Sequence, residues 1–387
     1  MSKPDKVLLK LKEVVEHRHI VGLACAFLIR GRVVWKGNLG LANREQGLPV
    51  TDKTVFRMGS VSVSITAAAI MQLVESGRCS LDDDSAKLIG LPFRHPPHPD
   101  QPVRLRHLLT HTSGLRDHYA AFAAASRKEP LLPLSELLLP GGGWHSPGLW
   151  GDKPPGDSAG YAFSNLAGIL LATIVERLSG ERFDRYCRKY LFQPLGMSDS
   201  SFNPEDIDSS RFAVLYDRDK DSGAFTAALD ESRGASEPSS ELGGYVPGVN
   251  GSLFEPYGGL RTTIADLSRW LELLAGYGER NGVRLLQART VKDMMSQHWK
   301  RETQEGFYRE GGLMLQRTKD LFEGRLMIGH AGHAYGLRSG MFVEPDTGMG
   351  VVYAMNGLDD AKLGHVFTAA ETELAAAMAD IFLKRKS

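Results

Sequence analysis

Phe56-Arg57-Met58-Gly59-Ser60-Val61-Ser62-Val63-Ser64-Ile65-Thr66-Ala67-Ala68-Ala69-Ile70-Met71-Gln72-Leu73-Val74-Glu75-Ser76-Gly77 is the stretch on which the reading of this chain turns. A Gly-Ser pair opens an apolar run in which Ile65, Ala68, Ala69, Gln72 and Leu73 keep the helical period, and Gly77 supplies a stop. At a helix start the first N–H groups have no intrahelical partner, and the helix dipole favours negative charge. A serine placed there, Ser60, suits a nucleophile whose product carries an oxyanion.

Upstream of this stretch, residues 5–18 place Val7, Leu8, Leu11, Val14 and Val15 at helical spacing, which predicts an amphipathic helix. The apolar run Val21 to Leu28, the turn Arg30-Gly31-Arg32 and the resumed run Val33-Val34-Trp35 predict a hairpin. Downstream, Leu81-Asp82-Asp83-Asp84 reads as a helix-capping turn. Residues 117–158, rich in Pro, Gly, His and Trp, form a loop-rich insertion and a wall of the substrate site. Leu166 to Leu178 and Phe183 to Leu191 read as helices, and residues 201–260 as irregular strands and loops. A helix starts at Asp266, short strands follow at Gly312–Gln316, Leu326–Gly329, Ser339–Val343 and Gly350–Asn356, and a last helix runs from about Glu371 to Lys384.

Strands near both termini with helices between them imply an α/β (α+β) fold: an antiparallel sheet assembled from both ends of the chain and flanked by helices. The expected division is a sheet domain from residues 1–80 and 201–387, a mainly helical domain from 81–200, and the active site between them.

Composition narrows the partners. Hydrophobic residues make up 42% and charged residues 24% of 387, as in an ordinary globular protein long enough for a large core. Lys+Arg and Asp+Glu both total 46, and without a basic cluster nucleic acid is not an expected partner. No window approaches a membrane span, and Met1 to Lys12 lacks the apolar region of a secretory signal. Cys25, Cys79 and Cys187 are odd in number and far apart, which reads as buried thiols in a reducing, cytoplasmic compartment. The His107/His111 and His330/His333 spacings lack acidic or cysteine partners, so neither a metal nor another cofactor is expected. The partner left is a small-molecule substrate; the sequence leaves the oligomeric state open.

The serine helix resembles that of the serine β-lactamase and penicillin-binding-protein superfamily, especially class C β-lactamases and the esterases and peptidases on the same fold. That family reads Phe-Arg-x-Gly-Ser-x-x-Lys. This chain keeps Ser60 but has Val63 where the base lysine would share the serine's helix face. Leu108-Leu109-Thr110-His111-Thr112-Ser113-Gly114-Leu115, Pro194-Leu195-Gly196-Met197 and Gly258-Gly259-Leu260-Arg261-Thr262-Thr263 are also family-like segments. His111 is a candidate base by residue type, while the resemblance implies a structural role for this segment, tying a helix end and a turn together. The family's Tyr-Ser-Asn motif aligns with Phe163-Ser164-Asn165, so the phenol used in proton transfer is replaced by Phe163, while Asn165 remains to orient a carbonyl or Ser60. Tyr161, two residues earlier, is the alternative phenol if the alignment slips. The His-x-Gly strand is matched by His330-Ala331-Gly332. His330 is the best remaining proton acceptor by residue type, or else only positions substrate; His333 is a weaker candidate.

The resemblance implies a serine enzyme acting on an ester, amide or related carbonyl substrate, a hydrolase or acyltransferase with non-standard proton transfer. In it Ser60 attacks, His330 moves protons, and Ser60 N–H with the backbone at Ala331 or Gly332 holds the oxyanion. Asn165, Val63, Phe163 and Tyr161 line the substrate. Two other readings stay open: a recruited cyclase, isomerase or lyase using the same pocket without acylation, and a catalytically silent binding protein.

Overall fold

Helix α1 (Lys3–His17) begins the chain in this computed structural model, which describes residues 2–118, 133–219, 221–228, 244–250, 254–302, 308–358 and 367–383. Ser2 and Asp5 cap the helix reciprocally, and the stripe Val7, Leu11 and Val14 is buried. The expected hairpin follows as β1 (Gly22–Ile29) and β2 (Arg32–Asn43), joined by a tight turn in which Gly31 takes a positive φ of 69°. Almost every residue of β1 is buried, so this strand is covered on both faces and has no polar side to alternate with.

The short strands β3 (Leu48–Pro49) and β4 (Phe56–Arg57) lead into a 3-10 turn, Gly59–Val61, and then helix α2 (Ser62–Glu75). Further along come α3 (Leu105–Leu109) and α4 (Asn165–Ser179), which Gly180 ends in the left-handed conformation. Strand β5 (Arg261–Thr262) pairs with β4, and Thr263 caps α5 (Ile264–Ala275). The C-terminal part supplies β6 (Trp299–Lys300), β7 (Glu310–Gly311), β8 (Gln316–Thr318), β9 (Met327–Ala334), β10 (Leu337–Val343), β11 (Gly350–Asn356) and α6 (Ala369–Phe382).

Nine of these strands form one antiparallel sheet in the order β6-β7-β8-β9-β10-β11-β1-β2-β3. The seam between the two ends of the chain is the pairing of β1 with β11, from Gly22 opposite Asn356 to Leu28 opposite Gly350. One face is covered by α1 and α6 around Leu23, Phe27, Tyr353 and Leu374. The opposite face, against α5, belongs to a larger core that continues through α2 and α4. Buried Tyr353 donates to Glu371 at 2.7 Å, binding the sheet to α6.

Some expectations are corrected. Gly312–Gln316 is a strand only at Gln316: Gly312 N–H donates to Leu315 O at 2.9 Å, and Met314, at a positive φ of 52°, turns the chain. The strand expected at Leu326–Gly329 runs on through His330 and His333 as β9. In the 117–158 insertion, the described part is loop-rich with a short helix at Ser135–Leu138; residues 119–132 lie outside the described residues. In 201–260 a hairpin pairs Tyr216–Arg218 with Phe225–Ala227; residues 220, 229–243 and 251–253 lie outside the described residues. Cys25, Cys79 and Cys187 are buried and form no disulfide. Among the described residues no helix is long and apolar enough to cross a membrane.

Candidate active site

Ser60 sits in the 3-10 turn that starts α2, half-exposed beside the buried Gly59 and Val61. Three contacts fix that turn. Ser62 Oγ donates to Gly59 O at 2.6 Å and accepts from Leu260 N–H at 3.0 Å, tying the helix start to the Gly258–Thr263 segment. Ser339 Oγ donates to Met58 O at 2.8 Å from β10. Arg57, buried, pairs with Glu255 at 2.8 Å and donates from Nε to Gly258 O at 3.1 Å. Val63, one turn beyond Ser60, is fully buried in the larger core, so no side chain from that position can reach for the serine's proton.

The open edge of β9 faces this turn. Its ladder with β8 ends at the Gln316–Gly329 pair, while the ladder with β10 continues to Ala334. Ala331 N–H donates to Gln316 Oε1 at 3.1 Å, on the β8 side. Antiparallel pairing alternates, so Gly332 N–H turns to β10 and His333 N–H faces the same edge as that of Ala331. A Cβ added to Gly59 would stand 3.2 Å from His333 N. The backbone donor beside Ser60 is therefore that of His333. Of the residues expected in that role, Ala331 is engaged by Gln316 and Gly332 points away; Gly332 instead allows close approach, since a Cβ there would meet Met58 O at 2.2 Å.

The second wall is the start of α4. Ser164 Oγ accepts from Ala167 N–H at 3.2 Å as its cap and donates to Asp117 at 3.3 Å; Asp117 also accepts from Leu166 N–H at 3.1 Å. Ser164 N–H donates to His111 Nδ1 at 3.2 Å, and Ala162 N–H donates to His111 O at 3.1 Å. His111 thus has the tying role expected of it, in a left-handed conformation with φ 55°. Asn165, on the first turn of α4, is buried.

Phe163, His330 and Tyr308 come together: Phe163 stacks on Tyr308 with ring centroids 5.3 Å apart, and His330 stands 5.9 Å from Phe163. Tyr161 stacks on Trp299 at 3.9 Å and meets His111 edge-on at 6.0 Å. The ring of Tyr161 also meets that of Tyr308 at 5.8 Å, and burial raises the pKa of its phenol well above the usual value. Burial lowers the pKa of His330 to about 4, against an opposing backbone bond to Ala331, and lowers that of His111 to about 3, with His330 adding to the shift. Both imidazoles are neutral near pH 7. His330 Nδ1 lies 2.6 Å from Ala331 O; a carbonyl only accepts, so Nδ1 carries the proton and Nε2 is the bare nitrogen.

Tyr257, like Tyr308 and Gln316, is absent from the candidates read from the sequence. Tyr257 precedes the Gly258-Gly259 pair, its Cβ within 3.0 Å of a Cβ built on Gly168 of α4, while a Cβ on Gly258 would be 3.9 Å from Gly59. It is set between α4 and the serine turn, and burial, then the nearby Glu255, raises its phenol pKa well above the usual value. Its place directly before that glycine pair is the signal that could have found it.

A family model described as Beta-lactamase matches residues 10–375. Penicillin-binding protein 4* of Bacillus subtilis is 26% identical over 253 residues, covering 63% of this chain and 50% of that protein. Esterase EstB of Burkholderia gladioli is 30% identical over 229 residues, covering 53% and 52%. The chain thus spans about half the length of these curated relatives. Among solved structures, the octameric penicillin-binding protein homologue from Pyrococcus abyssi superposes with a TM-score of 0.71 at 25% identity, covering 98% of this chain and 77% of that one.

Proposed function

Because the chain belongs to the Beta-lactamase family, we propose that it is a serine hydrolase or acyltransferase acting on an ester, amide or related carbonyl compound. The observation that carries this reading is the placing of Ser60 at a helix start directly against the open edge of β9, with His330 on the same strand. In this reading the substrate carbonyl oxygen lies between the N–H groups of Ser60 and His333, Ser60 Oγ attacks, and His330 Nε2 takes the proton that lysine and tyrosine handle elsewhere in the superfamily. Asn165 and Tyr257 orient the substrate, and Phe163 and Tyr308 give it an apolar wall. We read the 81–200 segment and the sheet as two lobes with this cleft between them. The separate buried thiols fit a cytoplasmic location.

Intact-protein mass spectrometry after exposure to a fluorophosphonate or an activated ester tests the proposal. We expect one adduct, lost in Ser60→Ala. Turnover that persists in Ser60→Ala within a few-fold of the parent removes nucleophilic catalysis. A second reading then takes over, favoured by the apolar side chains of Val63 and Phe163: a non-acylating enzyme, such as a cyclase, isomerase or lyase, that binds its substrate in the same dry pocket.

A further inference from the structure

Glu255-Pro256-Tyr257-Gly258 is a β-turn closed by Gly258 N–H donating to Glu255 O at 2.8 Å, with Pro256 and Tyr257 at its two central positions. Hydrogen bonds and an ion pair hold this turn and the residues after it on the start of α2. Thr66 Oγ1 donates to Pro256 O at 2.7 Å, Arg57 Nε donates to Gly258 O at 3.1 Å, and Arg57 pairs with Glu255 at 2.8 Å. Leu260 N–H donates to Ser62 Oγ at 3.0 Å, and a Cβ on Gly258 would be 3.9 Å from Gly59. Residue 257 is thus fixed beside the turn that carries Ser60. On its other side Tyr257 rests on α4: a Cβ on Gly168 would stand 3.0 Å from the Tyr257 Cβ, and Gly168 lies one turn along from Asn165. Over residues 56–71 and 256–264 every residue is buried except Ser60 and Tyr257, which are half-buried. Where these two packed segments meet, only the serine and the tyrosine reach the cleft. Burial, then Glu255, holds the phenol pKa well above the usual value, so near pH 7 Tyr257 keeps its proton and offers an O–H donor.

We propose that the Tyr257 hydroxyl donates a hydrogen bond to the leaving-group oxygen as its bond to carbon breaks, and that the site is thereby built for esters of aliphatic alcohols. The inference rests on the reading of Ser60 as the nucleophile. The sides of the cleft divide the two oxygens of the ester. The carbonyl oxygen goes to the N–H groups of Ser60 and His333 on the β9 side, while Tyr257 enters from the side of α2 and α4 and meets the other oxygen. When the adduct on Ser60 collapses, the bond from carbon to the leaving oxygen breaks. Its electron pair stays on that oxygen, which accepts from the Tyr257 O–H. Ser60 has given up one proton and the departing alcohol gains one, so acylation needs no further reactant, and the phenol stays protonated throughout. An alkoxide is about as basic as hydroxide, whose conjugate acid ionises near about 15.7, so its developing charge needs a donor. A p-nitrophenolate spreads the charge over its ring and needs the donor least. A donor already in place where charge develops is worth about 10²–10³-fold in kcat.

Acetate esters with graded leaving groups test this, from p-nitrophenyl through phenyl to ethyl acetate. All pass through the same acetyl-enzyme, and kcat/KM reports its formation. Tyr257→Phe keeps the packed ring and removes only the hydroxyl. In that variant the loss of kcat/KM should grow along the series, to at least about tenfold more for ethyl than for p-nitrophenyl acetate. A loss of the same size for every ester is what a purely structural role gives, and it overturns the inference; so does no loss at all. If the variant does not fold, the parent decides: it must turn over ethyl acetate, and a parent that is inert to that ester overturns the inference. Ser60→Ala separates this inference from the reading beneath it. If Ser60→Ala turns these esters over like the parent, the acylation reading falls and takes the inference with it. If Ser60 is acylated while Tyr257→Phe loses activity uniformly, only the inference falls.

Discussion

At position 63 a fully buried valine lies one helical turn beyond Ser60, and at position 163 a phenylalanine stacks on Tyr308; we read these as the positions of the superfamily's lysine and tyrosine. On the same reading the Gly59–Ser60 turn, Asn165 and the β9 edge keep the rest of the superfamily's frame. Val63→Lys with Phe163→Tyr is therefore expected to raise hydrolysis of p-nitrophenyl acetate by at least about tenfold, since general-base help is typically worth about 10²–10⁴-fold. The longer, charged side chain in a tight core should cost about 1–3 kcal/mol of stability, read as a lower urea midpoint. A folded double variant no faster than the parent would show that the site has diverged beyond these two positions.

Short elements here are held by side chains whose charge state matters. Helix α3 is capped reciprocally: Arg104 N–H donates to His107 Nδ1 at 3.2 Å and His107 N–H donates to Arg104 O at 2.9 Å. Burial, then the charges of Arg104 and Arg106, lowers the pKa of His107 to about 4. The unfolded chain binds that proton near the ordinary value of about 6.5, so the cap contributes fully above pH 6.5 and is lost as pH falls toward 4. With allowance for the ring's partial exposure, the loss by pH 5 is roughly 1 kcal/mol. His107→Asn keeps an acceptor that does not titrate, so urea melts at pH 7.5 and pH 5 should differ less for this variant than for the parent; equal differences would reject the role. The same scale shows what sequence could and could not say. The capping turn at Asp84, the helix over Leu166 to Leu178 and the strand Gly350–Asn356 were legible because each depends on neighbours in the chain. The turn at Gly312–Leu315 was not, because its apolar residues imitate a strand and only Met314 N–H reaching Leu109 O at 2.7 Å, 205 positions back in the chain's numbering from 314 to 109, reveals its use. Gln316 and Tyr257 were missed as site residues, and His333 was named only as a side-chain candidate and not as a backbone donor, for the same reason: their roles come from partners far away in sequence.

Across the whole molecule, the sheet joins what the chain keeps farthest apart. Strand β11 lies between β10 and β1, and α6 closes the face above it through the Tyr353–Glu371 bond and ion pairs from α1, among them Lys10 to Asp380 at 2.9 Å. A chain ended at Glu344 loses β11 and α6 and leaves Leu23, Phe27 and Phe342 uncovered. We expect it to be insoluble or to lack the native circular-dichroism spectrum; a soluble product with that spectrum would show that the remaining strands close without the seam. The seam also sets a clock. On a ribosome, β1 emerges well before its partner, and Gly22 cannot meet Asn356 until the whole stretch between them has been made. At about 5–20 residues per second that wait is on the order of half a minute, during which an apolar strand has no native neighbour on one side. Yield in the cell should therefore depend on chaperones that hold nascent chains, more steeply than the stability of the finished protein would suggest.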